Sequence, residues 1–303
     1  MRTRPTRLLL AATAVLLLAG ACSKTETTTP APSGSTSKPA DSTAPGTAPK
    51  GTTPKGTTPA ADLGKMVKDA KLVSSGKLTI CSDTPYEPFE FPDEKNDDKL
   101  TGFDVNVVDA MAKKLELTTV WKTTPFVSIL ASLAAGDCDM IASAMTITDE
   151  RKQEVDFSDG YFDADQSLLV LGSDKDTYKK LADLKGKTIG VQESTTGAAY
   201  AKEHTPDGAT VKEYSGASDL FAALVAGDIQ AVLQDFPVNK WRSKQDPEKF
   251  VVSETFPTGE KYGFAVDKKN PKLTAALNAA LQEVANDGEY DEIYKSWFGV
   301  KAA

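Results

Sequence analysis

Ser143-Ala-Met-Thr146-Ile-Thr148-Asp149-Glu150-Arg151 leaves an apolar run, passes through hydroxyls and arrives at an arginine. A guanidinium is a planar, forked donor matched to a carboxylate, so this segment has the chemistry of an anion site. Glu193-Ser194-Thr195-Thr196-Gly197 adds a second candidate. It sits between an apolar run and an Ala/Tyr-rich helical stretch, where backbone N–H groups opening a helix favour an anion. Asp235 closes the apolar run 231–234, a place where a carboxylate without a partner is costly. A free α-amino acid offers both complements, a carboxylate for Arg151 and an ammonium for Asp235. Asp83-Thr-Pro-Tyr86-Glu87-Pro-Phe89 mixes aromatics with acids, and Tyr86 and Phe126 are suited to flank a flat or aliphatic side chain. Asp83 and Glu87 favour a cationic or polar group over an acidic one at that end. Each residue also has an ordinary reading: Arg151 on the surface, Thr195 or Thr196 as a helix cap, Asp235 as a loop cap, Tyr86 and Phe126 in the core.

These residues need elements to hold them. Apolar runs predict strands over 77–82, 119–122, 140–144, 167–171, 188–191, 231–234 and 262–266. Helical spacing joins Val105, Val108, Ala112 and Leu115, then Ile129, Leu130 and Leu133 before Gly136 as a stop. It recurs in Leu220 and Leu224 before Gly227. Asn270-Pro271 reads as a cap with proline at the first helical position, opening a face of Leu273, Leu277, Leu281 and Val284 that Gly288 ends. Strands alternating with helices predict α/β layers. The segment from Leu133-Ala-Ala-Gly136-Asp137 to Ser143-Ala144 can be laid over Leu224-Val-Ala-Gly227-Asp228 to Gln234-Asp235. A unit used twice suggests two lobes of like architecture. Ligands of open α/β sheets lie beyond the carboxyl ends of strands, where both copies carry polar residues.

The 303 residues are long enough for two such lobes. Arg2, Arg4 and Arg7 precede an apolar stretch from Leu8 to Leu18 that is too short to span a bilayer. Small residues then lead to Cys22, in a pattern resembling the lipobox of bacterial lipoproteins. That implies a signal peptide over 1–21, lipidation at Cys22 and anchorage to the outer face of the cell membrane. Thr, Pro, Ala, Gly, Ser and Lys dominate residues 22–62, which cannot bury enough surface to offset ordering and predict a disordered tether. The net charge is −8, with +4 on residues 1–62 and −12 on the rest; an acidic globular part argues against a nucleic-acid partner. Of three cysteines, Cys81 and Cys138 remain, either as a disulfide, which an extracytoplasmic compartment permits, or as two buried thiols. His204 is the only histidine. No metal-ligand cluster, cofactor motif, nucleophile–base pair or phosphate loop is evident.

Several segments together carry a resemblance: Asp83-Thr-Pro-Tyr86-Glu-Pro-Phe89, Gly102-Phe103-Asp104, Ser143 to Arg151, Asp156-Phe157-Ser158, Leu184-Lys-Gly186-Lys-Thr-Ile-Gly190, Gln234-Asp235 and Asp287-Gly288-Glu-Tyr290. In this order they resemble the amino-acid-binding proteins of ABC importers, in the group of lysine/arginine/ornithine, histidine and glutamine binders. The resemblance implies a type II periplasmic-binding fold of two α/β lobes joined by two hinge strands, with 63–165 plus 264–303 as the first lobe and 166–263 as the second. It implies that Arg151 pairs with the ligand carboxylate, that Thr146 and Thr196 supply N–H and hydroxyl donors to it, and that Asp235 and Ser143 receive the ammonium. Tyr86 and Phe126 would flank the side chain and Asp83 would meet its distal group. Ala144 and Glu193-Ser194 depart from the serine- and glycine-containing patterns of some relatives. A monomer that delivers a polar or cationic amino acid to a membrane permease is the implied function. An enzyme of the same fold such as cyclohexadienyl dehydratase, a sensor and a structural surface lipoprotein are the rivals.

Overall fold

A computed structural model describes residues 60–299. The leader 1–21, Cys22 and residues 22–59 of the expected tether lie outside the described residues. The tether expectation ends early. The helix Ala60–Met66 begins inside it and packs on the helix Pro271–Asn286, with Leu63 buried in the first core.

Two five-stranded sheets organise the chain, and they share one plan. In the first, the strand order is Thr118–Thr123, Lys77–Ser82, Met140–Ile141, Ala265–Asp267, Val155–Phe157. In the second it is Thr210–Tyr214, Thr188–Gln192, Ala231–Asp235, Gln166–Leu171, Phe250–Phe256. The first three strands of each sheet are parallel, and the fourth runs antiparallel to both of its neighbours. The chain passes from the first sheet to the second before Gln166 and returns after Phe256. On the way it pairs Phe162–Asp163 with Lys261–Tyr262 as a two-stranded link.

The repeated segment is a repeated structure. Helices Phe126–Ala135 and Ala217–Ala226 both end on a left-handed glycine, Gly136 and Gly227. In both, the next aspartate reaches back with its N–H, Asp137 to Ser132 O and Asp228 to Ala223 O, at 3.0 Å each. Such 6→1 bonds satisfy carbonyls that a helix end leaves open. Asp139 and Gln230 then receive the neighbouring strand's N–H groups at Thr79 and Thr188, at 2.7 and 3.0 Å. Short strands follow, and both lead into the same region of the molecule.

Three sequence expectations need correction. The strand expected over 140–144 stops at Ile141. Ala144 takes a left-handed φ of 43°, and its N–H turns inward to Asp104 Oδ2 at 3.0 Å. The strand expected over 262–266 is two strands, broken at Gly263. Gly263 N–H bonds Met145 O, and a Cβ there would lie 2.7 Å from Ile147, so the crossing chain can hug the loop that carries Thr146. Finally, Asn270 stands at the helix start without capping it: its side chain bonds Lys71 instead.

The first core is dominated by aromatic rings. Phe89, Phe103, Tyr161, Phe162, Tyr262, Phe264, Tyr290 and Tyr294 are all buried, with edge and stacked contacts that aromatic quadrupoles favour. The helix Pro271–Asn286 buries Leu273, Leu277, Leu281 and Val284, the face read from its spacing. Gly102, at φ 140°, lets the helix Phe103–Lys114 start against the Phe89 carbonyl, where a Cβ would approach to 1.9 Å. That close approach brings Asp104 beneath the loop that holds Glu90. Cys81 and Cys138 form a disulfide joining the end of one central strand to the entry of the next.

Candidate functional site

All eight residues singled out from the sequence line one cavity, together with Ala144, Gln192 and Thr195. Asp83, Ser143 and Asp235 extend from the carboxyl ends of parallel strands, and Thr196 opens the helix Thr196–His204. The walls stand close, leaving space for about one water molecule. A larger groove of about 510 Å3 lies elsewhere, lined by Phe221, Val225 and Arg242, and it holds none of these residues. Glu87 lines that groove, so the second acid expected at the side-chain end is not there.

Arg151 is the cation of the cavity. Its Nη1 donates to Thr146 O at 2.8 Å and its Nη2 to Ser194 O at 3.1 Å. The charge also rests over the Phe126 ring, 5.3 Å from the centroid, so Phe126 supports the guanidinium as well as forming the wall. No carboxylate lies within 4 Å of Arg151 among the described residues. Burial lowers its pKa, opposed by the charges of Asp235, Glu260 and Glu150. A half-buried guanidinium bonded only to carbonyls retains attraction for an anion. Ser194 sits at φ 62°, a backbone shape that glycine adopts more easily, and this turns its carbonyl toward Arg151. Thr195 Oγ1 accepts the Ala198 N–H at 3.1 Å, the ordinary cap, which leaves the first two N–H groups of the helix for another acceptor.

Asp235 is the matching anion. It accepts Tyr86 Oη at 2.9 Å, Tyr262 Oη at 2.5 Å and Gln166 Nε2 at 2.5 Å. Burial raises its pKa to about 6, helped by the charge of Glu260 and opposed by these hydrogen bonds. Tyr86 therefore reaches Asp235 by its hydroxyl, beyond the flanking role expected of its ring.

At the far end, Asp83 accepts Gln192 Nε2 at 2.6 Å, and its pKa is raised, chiefly by burial. Ser143 Oγ accepts the Asp83 N–H at 2.9 Å and donates to Glu90 Oε1 at 3.1 Å. Glu90 is buried, and burial followed by the charge of Asp104 drives its pKa well above the ordinary carboxylate range. Glu90 Oε2 and Asp104 Oδ1 are both buried without a hydrogen-bond partner.

Three residues escaped sequence reasoning. Gln192 and Gln166 stand at strand boundaries, where the residue type alone carried no distinguishing signal. Glu260 lies on the returning crossing, and its carboxylate accepts from Thr146, Thr196 and Gln166. Its position two residues before Tyr262, in the second crossing, was the available clue. Among the described residues there is no cluster of three or more metal-ligating groups, and no helix is long and apolar enough to cross a membrane.

Known proteins share this sequence pattern and fold. The lysine/arginine/ornithine-binding periplasmic protein of Escherichia coli K12 is 35% identical over 229 residues, covering 73% of this chain and 87% of that one. The structure of an ancestral arginine-binding protein bound to glutamine superposes with a TM-score of 0.70 at 41% identity, over 75% of this chain and 99% of that one. An ancestral amino acid-binding protein, described as a precursor of cyclohexadienyl dehydratase, gives 0.69 at 36% identity over 74% and 96%. These likenesses fix the architecture as the type II periplasmic-binding fold. With residues 78–300 matching the bacterial extracellular solute-binding proteins, family 3, the chain belongs to that family.

Proposed function

We propose that the protein captures a free α-amino acid outside the cytoplasmic membrane and presents it to an ABC permease. The observation that carries this reading is a single cavity between two lobes. It holds a guanidinium without a bound carboxylate at one place and a buried carboxylate at another. These are the two complements of a zwitterion. Arg151 and the first N–H groups of the helix Thr196–His204 take the carboxylate, and Asp235 takes the ammonium. Asp83, with Gln192 beside it, meets the distal side-chain group, which favours a cationic or polar amide end. The relatives described as binding arginine, lysine, ornithine or glutamine support that preference.

Closure between the lobes 63–165 plus 264–303 and 166–263, about the two crossings, gives the permease a bound-state surface to recognise. The chain acts as a monomer, held at the outer face of the membrane by a lipid on Cys22 with residues 22–59 as its tether. No step of bond making is assigned to it. The precursor of cyclohexadienyl dehydratase is itself described as amino acid-binding.

The test is a thermal-shift and calorimetric screen of the full chain against the common amino acids, with arogenate and prephenate turnover assayed in parallel. A ligand at 100 times its Kd adds about 2.7 kcal/mol to stability. Arg151→Ala should remove that shift while leaving the unliganded fold intact. Turnover of arogenate, or an unshifted midpoint with every amino acid, would overturn the reading.

A further inference from the structure

Glu260 lies on the returning crossing, behind the cavity wall rather than on it. Its Oε2 accepts Thr196 Oγ1 at 2.7 Å, Thr146 Oγ1 at 3.1 Å and Gln166 Nε2 at 3.2 Å. Thr146 belongs to the loop beyond the first sheet, and Thr196 opens a helix on the second. Both threonines line the cavity.

A hydroxyl has one proton to give and two lone pairs to offer. The two threonine oxygens are 3.3 Å apart, and either could donate to the other. A carboxylate is the stronger acceptor, since hydrogen bonds to an ionised group are roughly twice as strong as neutral ones. Both protons therefore go to Glu260. Each hydroxyl then has only lone pairs to turn toward the cavity. An oxygen in that state repels a carboxylate and welcomes an ammonium.

We propose that Glu260 is a positioning residue that fixes the polarity of the site, making Thr146 and Thr196 hydroxyls acceptors for the ligand ammonium beside Asp235. The ligand carboxylate is left to Arg151 and to backbone N–H groups. The hydroxyl half of the role expected for these threonines gives way accordingly. Gln166 completes the arrangement. Its two amide protons are shared among Asp235, Thr196 and Glu260, so one amide ties the carboxylate that lines the cavity to the carboxylate behind it. The proposal rests on the zwitterion reading above and adds to it the residue that orients the two hydroxyls.

Glu260→Gln tests it. The amide keeps the size and one acceptor oxygen, but its NH2 must donate, so at least one threonine hydroxyl turns its proton toward the cavity. Affinities of the full chain are measured by calorimetry for L-arginine, L-lysine, L-histidine and L-glutamine. Each is compared with its α-des-amino analogue, 5-guanidinopentanoate in the case of arginine. Glu260→Gln should weaken binding of the amino acid tenfold or more and change the analogue less than threefold. Glu260→Ala, which releases both hydroxyls, should show the same pattern. A general loss of packing would weaken both classes together, and equal losses or no loss would overturn the proposal while native binding kept the zwitterion reading intact. Failure of the native protein to bind any of the four would remove both.

Discussion

Asp104 and Asp235 are both buried acids with raised pKa values, of about 7 and about 6, burial being the first cause of each. Their consequences differ because only Asp235 faces the cavity. For Asp104 the folded pKa exceeds the unfolded value, so the folded state holds its proton more tightly. Stability from this group is fully present below the unfolded pKa near 4 and is lost as pH rises through about 7. Glu90 and Asp83, also raised, act in the same direction. The lowered pKa of Asp287 acts oppositely, though only as pH falls toward the low range of an ion-paired aspartate. Urea midpoints should therefore rise between pH 7.5 and pH 5. Ligand affinity should fall over the same interval, because an ammonium needs Asp235 ionised. Below pH 6 the limit is about tenfold in Kd per pH unit. Calorimetry and urea melts on the same samples check the pair of trends, and two curves moving together would contradict the assignment of Asp235 to the ammonium.

At the scale of elements, the disulfide is the plainest case of a constraint that sequence left open. Cys81 and Cys138 were readable as neighbours of central strands, but pairing depended on a register that spacing does not give. The bridge spans 57 residues, for which chain entropy gives about 4 kcal/mol of stabilisation. Cys81→Ala with Cys138→Ala should lower unfolding free energy by about 2–4 kcal/mol in urea, with ligand affinity nearly unchanged, since neither cysteine lines the cavity. Repeats and helix faces were legible because glycine stops and 3.6-residue spacing act locally. The strand break at Gly263 and the early end at Ile141 were not, because each follows from a distant partner: Met145 and Ile147 for the glycine, Asp104 for the Ala144 amide. The hairpin strands Phe91–Asp93 and Asn96–Thr101 and the edge strand Thr210–Tyr214 were also missed. Pro92, the polar run 96–99 and Lys212-Glu213 interrupt the apolar alternation that marks a half-buried strand. Glu260 escaped for a related reason: its chemistry is set by which crossing returns past Thr146, a fact of topology.

At the scale of the whole molecule, the cleft is spanned by side chains that bond one another. Gln192 donates to Asp83, Tyr86 to Asp235, and Arg151 to Ser194 O, and each contact has one member on either sheet's side. Under the proposed closure, such bonds hold the walls together and slow opening. Gln192→Ala removes one of them, worth about 1 kcal/mol. It should raise the dissociation rate about fivefold in stopped-flow experiments and leave association within about twofold, as affinity changes at one interface usually sit in dissociation. An unaltered dissociation rate would show that this contact does not hold the lobes together. The spanning bonds also set terms for what can enter. Occupancy is an exchange, in which an incoming solute must replace contacts that the walls already make with each other. A molecule with only one of the two charges gives back less than it displaces, so selectivity is exercised by what the walls must surrender as much as by what they gain.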